Sequence, residues 1–184
     1  MPPLLKKIAV QFGIVSTVLS ILYVLGVYIV DETLFTSKWG GTLVLLVTLV
    51  IFIVGVTQYK KENGGYATFR EAFSAFMLPF MMASLLGLAF NLFFYNVVDA
   101  DLATRNGARQ VDMMLEMPEE QLQGVKKFMG VTTNDELEEK IMKQAMATKS
   151  FTGQLKGAGM GIAFFAVIGL VVGAVMKKNR PEFE

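Results

Sequence analysis

Four long apolar runs divide the chain. Residues 8–30, 40–59, 72–98 and 157–176 contain no Asp, Glu, Lys or Arg. The apolar core of a bilayer needs about 20 helical residues at about 1.5 Å of rise each, and every run meets that length. The second run carries Leu, Val and Ile on all its faces, which suits lipid better than a half-wet surface. The third contains Pro79, which removes a backbone hydrogen bond and predicts a kink. Lys6 and Lys7 ahead of the first run imitate a secretory signal. The run outlasts the ~7–15 apolar residues of a cleaved signal, and Val27-Tyr28-Ile29-Val30 offers no small-residue cleavage site, so it reads as an uncleaved span.

Between the third and fourth runs, residues 99–156 are polar but patterned. Pro118 suits a first helical position, Glu119 and Glu120 a first turn, and Gly130 a stop. Leu122, Val125, Phe128 and Met129 give that helix an apolar stripe. Thr133 and Glu136 form a capping box that opens a second helix, with Leu137, Ile141 and Ala145 on one face. Residues 101–117 predict a third, weakened by Asn106-Gly107. So short a segment without disulfides makes a marginal core of its own. Its apolar faces are therefore expected to dock on the span ends, the membrane surface or a partner. The fold class is all-α: a polytopic membrane protein with spans 1–3 in residues 1–98, a helical extracytoplasmic cap in 99–156, and span 4 with a cytoplasmic tail in 157–184.

Composition agrees and adds orientation. The 184 residues are 53% apolar with a mean hydropathy of +0.49, and 17 basic side chains nearly balance 16 acidic ones. Lys6, Lys7, Lys60, Lys61, Arg70, Lys177, Lys178 and Arg180 all flank one side of the predicted spans, against Lys38 in the short opposite loop. By the positive-inside rule both ends of the chain are cytoplasmic, and 99–156 lies outside. There is no His and no Cys, which removes the commonest groups for metal binding, thiol chemistry and proton transfer near neutral pH. Met113, Met114 and Met117 offer thioethers of the kind that hold Cu(I), but adaptable packing explains them better. No cofactor, metal or nucleic-acid site is expected, because the basic clusters are accounted for by topology.

Small residues mark candidate helix-packing seams. Gly153, Gly157, Gly161, Gly169 and Gly173 share one four-residue register on the fourth span, and the first span offers Gly13, Ser16, Thr17 and Ser20. An intramolecular contact between these two spans is the favoured use; a homodimer or a partner's helix is the other. Ala83 and Gly87 form a shorter seam on the third span, where Asn91 is expected to bond across helices, since a lipid-facing Asn is costly.

The connection before the third span combines turn, cap and interface residues. Gly64 and Gly65 supply positive-φ turn positions, and Thr68 with Glu71 forms a second capping box. Lys60, Lys61 and Arg70 suit anionic headgroups, while Tyr66 and Phe69 suit the interface. These residues are the candidate lipid or partner contact. Residues 63–73 also resemble the signature of the domain-of-unknown-function family numbered 4199, four-helix integral membrane proteins of Bacteroidota. Gly64, Gly65, Tyr66, Thr68, Phe69, Arg70, Glu71, Ala72 and Phe73 fit that signature, with one residue fewer before the glycine pair. The order of spans and the long outer segment match too. Asp99-Ala100 departs from the Asp-Pro often found after the third span. The resemblance implies a bacterial inner membrane and no known activity.

Spans without ionisable groups favour a non-enzymatic scaffold or accessory subunit, partnered by membrane lipids and by another membrane protein or itself. The alternative is a small transporter or channel with a kinked third span. Ion-coupled carriers, however, place a charged side chain within the membrane, and none is present in the runs.

Overall fold

The computed structural model describes residues 1–180; the end of the tail, 181–184, lies outside them. Four helices are long and apolar enough to cross a membrane: α1 (Pro3–Val30), α2 (Lys38–Glu62), α3 (Phe69–Phe93) and α7 (Phe151–Met176). Three short helices, α4 (Leu102–Leu115), α5 (Glu119–Met129) and α6 (Asn134–Ala147), form a cap between α3 and α7. α3 and α7 start ahead of their uncharged stretches because local caps set those ends. The Ser150 hydroxyl accepts from the Gly153 amide and starts α7 well before Gly157. Thr68 and Thr133 both close the expected capping boxes, with Glu71 and Glu136.

α3 is the common partner of the bundle. It packs extensively on α1 and on α7 and less on α2, whereas α1 and α7 scarcely meet. The core at the end holding the chain termini is aromatic. Phe80 stacks on Phe165 at 4.1 Å, and Phe52 meets the edges of Phe76 at 5.9 Å and Phe165 at 6.1 Å. Glycines admit this ridge. A Cβ on Gly169 would lie 3.1 Å from Phe76 and 3.2 Å from Phe73, and one on Gly173 would lie 3.2 Å from Phe69. On α1, a Cβ on Gly13 would stand 3.0 Å from the Met82 Cβ and 3.1 Å from the Pro79 carbonyl oxygen. The seam expected between the fourth and first spans is thus two seams, each facing α3.

The cap differs from its expectation. Val111 of α4, Leu122 of α5 and Leu137 and Ile141 of α6 bury one another, so the apolar stripes form a small core of their own. Anchoring both ends of the cap on the bundle lowers the entropy that an isolated segment of this size would lose on folding. Asn106-Gly107 marks the crossing rather than a weakness. A Cβ on Gly107 would lie 2.8 Å from Ala145 and from the Met142 sulfur, so only glycine lets α6 approach. Phe128 leaves the stripe, about 100° around the helix from Met129, and is 92% exposed.

Replacing Gly169 with Leu should overpack the α3–α7 contact by about 1–3 kcal/mol and lower the melting temperature in detergent. Gly159→Leu, at a position with nothing within 4 Å, should leave it close to wild type.

Candidate functional site

Three places concentrate polar groups: a knot at the terminal end of the bundle, a clamp under the cap, and a cavity between them.

The knot is built from the 63–73 connection. Gly64 and Gly65 adopt φ of 75° and 89°, and the Gly65 amide donates to the Lys60 carbonyl at 2.7 Å, reversing the chain after α2. The Asn63 side chain then donates to the Tyr66 carbonyl at 2.9 Å. Glu71 accepts from the Thr68 amide at 2.8 Å and from the Tyr59 hydroxyl at 2.9 Å, joining α2 to the start of α3. The tail closes the knot: Ala67 and Lys178 exchange backbone hydrogen bonds of 2.9 and 2.7 Å, and the Lys178 ammonium lies 5.3 Å from the Tyr66 ring centre. Ala72 is fully buried, and Phe69 lies against Gly173. Most of the connection therefore holds the bundle together. Lys61 and Arg70 stand exposed and Lys60 half-buried, with no ion pair among the described residues.

The clamp escaped the sequence reading, because its members lie up to 77 residues apart. Asp31 accepts from the Thr33 amide at 2.9 Å and turns the chain after α1 into a short 3₁₀ turn, Glu32–Phe35, which presents Glu32 inward. After α3, a π-helical turn at Phe94–Val98 delivers Asp99, whose amide donates to the Phe94 carbonyl at 3.0 Å. Arg105, on the first turn of α4, spans both carboxylates, with contacts of 2.6 Å to Asp99 and 2.8 Å to Glu32. Arg109 adds a 3.1 Å contact to Glu32, and the Tyr28 hydroxyl donates to Asp99 at 3.1 Å. The Arg105 guanidinium holds the Asp99 carboxyl down at about 2, and the same group, helped by Arg109, lowers Glu32. The two carboxylates in turn raise Arg105.

The cavity occupies about 470 Å³ between α1, α3 and α7, in the half of the bundle nearer the cap. Thr17, Ser20, Ser84, Asn91 and Gln154 face it, and Gln144 and Thr148 close the top. Gly87 and Gly157 form open wall, since a Cβ at either would meet nothing within 4 Å. The Asn91 side chain makes no hydrogen bond among the described residues, in contrast to its expected role. The residue that bridges elements is Asn96, which donates to the Lys149 carbonyl at 3.0 Å and ties α3 to the turn before α7. Gly153 packs against the Ala147 carbonyl before that turn, a Cβ on Gly161 would lie 3.4 Å from Phe80, and Ala83 packs on the aromatic core.

No charged side chain lines the cavity. Among the described residues no group of three His, Cys, Asp or Glu is placed to hold a metal ion. Around the bundle, Glu32, Glu62, Glu71 and Asp99 are each engaged in ion pairs or caps.

Four membrane-length helices, a helical cap and this uncharged interior define a polytopic membrane protein built on one α-helical bundle. The chain belongs to the DUF4199 family of proteins of unknown function, whose model matches residues 11–178. No curated protein and no solved structure matches it.

The clamp predicts a pH dependence. The folded chain keeps Asp99 ionised to lower pH than the unfolded chain, whose carboxylate titrates near 3.9. Its contribution is complete above about pH 4 and disappears as the pH falls through about 2. Melting temperature followed from about pH 6 down to about pH 2.5 should therefore fall across the lower part of that range. Asp99→Asn should start lower and fall less steeply.

Proposed function

We infer that the chain is a non-catalytic accessory or scaffold subunit of a bacterial inner-membrane complex, with both ends cytoplasmic and the cap outside. The basic residues around the knot support that orientation, because Lys60, Lys61 and Arg70 lie at the same end of the bundle as Lys6, Lys7, Lys177 and Lys178. Anionic headgroups would add about 1 kcal/mol per exposed basic residue there.

One observation carries the accessory role. Phe128 stands 92% exposed on α5, in a cap otherwise fixed by its own core, the Arg105 clamp and the Asn96 tie. An aromatic side chain held in water on a rigid support is a ready anchor for a partner, since binding it orders little else. Carboxylates already committed to caps and ion pairs give little support to an enzyme. A transporter is less well supported as well, because the aromatic group of Phe52, Phe76, Phe80 and Phe165 stands across the bundle below the cavity.

A photocrosslinking residue in place of Phe128, introduced in native membranes, should yield one stoichiometric protein adduct that a crosslinker at Val175, in the apolar span, does not yield. The same partner should co-purify with the wild-type chain and be lost from Phe128→Ser. That variant should keep its melting temperature, because exposed substitutions usually change stability by less than about 0.5 kcal/mol. A chain that stays monomeric and forms only lipid adducts at position 128 would contradict the reading.

A further inference from the structure

The cavity has features that neither the knot, the clamp nor the cap requires. Its α1 and α3 walls, residues 17–24 and 83–91, lie within uncharged membrane-length runs, and its α7 wall, 153–158, spans the junction of cap and fourth run. Unpaired polar groups are costly there. Yet the side chains of Ser20, Ser84 and Asn91, each half-buried, make no hydrogen bond among the described residues. Thr17 and Gln154 are by contrast paired, with the Gly13 and Thr148 carbonyls. The unpaired set therefore offers hydroxyl and amide groups to an occupant.

The shape narrows that occupant. About 470 Å³ lies within the range of small-molecule sites, about 300–1,000 Å³. Toward the terminal end, Phe80 lies one helical turn from Ala83 and Phe165 two turns from Ala158, and the two rings stack on each other beyond the cavity. α2 contributes no lining residue, and α1 and α7 scarcely meet, so no direct contact between those two helices closes the cavity on that side. Ile21, Val24 and Leu88 make part of the wall apolar. With no cation in the lining, the site has nothing to neutralise a phosphate.

We propose that this cavity binds an uncharged, oxygen-headed membrane lipid. Its hydroxyl or carbonyl head meets Ser20, Ser84 and Asn91, and its hydrocarbon leaves between α1 and α7. Gly87 and Gly157 keep the space open for the head. The site is independent of the cap surface around Phe128, so either can fail without the other.

Two lipids present this chemistry, a diacylglycerol with its free hydroxyl and an isoprenoid quinone with its carbonyls. The purified full chain in neutral detergent is irradiated with a diazirine-bearing form of each, then digested and mapped by mass spectrometry. At least one should label peptides covering 17–24, 83–91 or 153–158 saturably. The same unlabelled lipid should compete, and phosphatidylglycerol should not. The probe that labels identifies the source of the head group. Gly157→Leu fills the cavity, and Asn91→Leu removes the amide proposed to meet the lipid head, with little change in volume. Each should lower saturable labelling roughly tenfold or more. Melting curves establish that each variant is folded, and Asn91→Leu alone decides if Gly157→Leu is not. Labelling by neither probe, labelling that never saturates, competition by phosphatidylglycerol, or labelling unchanged in the folded variants would overturn the proposal.

Discussion

The structure depends on α3 serving two neighbours at once. In lipid, helices gain little by hiding apolar surface from one another, so close van der Waals contact and interhelical hydrogen bonds hold a bundle together. Here that contact is a ridge of α3 aromatic side chains, Phe69, Phe73 and Phe76, received by Gly169 and Gly173 on α7. On its other side α3 turns Met82 and the Pro79 carbonyl toward Gly13 of α1. Gly13 of α1 and Gly161, Gly169 and Gly173 of α7 all meet α3, while α1 and α7 stay apart, and the cavity is what remains between them. Below it, Phe52 and Phe165 fill the same gap with rings.

The two ends of the bundle are secured by different means. At the terminal end, backbone geometry dominates: two positive-φ glycines, a capping box and a two-bond bridge to the tail. At the cap end the fastening is electrostatic. A bare ion pair exposed to water contributes little. Arg105, by contrast, is shared by two carboxylates, with Asp99 also accepting from Tyr28 and from the amides of Asp101 and Leu102. Such a shared, partly buried arrangement fixes geometry as well as adding energy. It sets α4 on the bundle, and α4 in turn carries the cap core through Val111.

What could be read from the sequence was what is local. The four spans follow from length and charge, and both capping boxes follow from residues three apart. The packing glycines on the fourth span were visible as a register, but a register does not name its partner: Gly161, Gly169 and Gly173 meet α3, whereas Gly153 meets Ala147 and Gly157 meets nothing. Asn91 and Asn96 were equally visible as polar residues of one helix. Which of them reaches a carbonyl depends on the π-helical turn at Phe94–Val98, which shifts the register that follows and has no signal in the residues. The clamp was illegible for the same reason, since Glu32 and Arg105 lie 73 residues apart. The cavity, likewise, is a property of three helices and of none singly.

The central claim is that α1 and α7 both pack on α3 and not on each other. The chain has no cysteine, so paired substitutions report on contacts without background. In membranes under mild oxidation, Gly13→Cys with Met82→Cys should form an intramolecular disulfide, since a Cβ at position 13 would lie 3.0 Å from that of Met82 and a shift of about 0.5 Å brings the pair into the disulfide range. Ser20→Cys with Gly157→Cys, facing each other across the cavity, should not. Ready crosslinking of the 20/157 pair, with none at 13/82, would place the first span against the fourth and contradict the account.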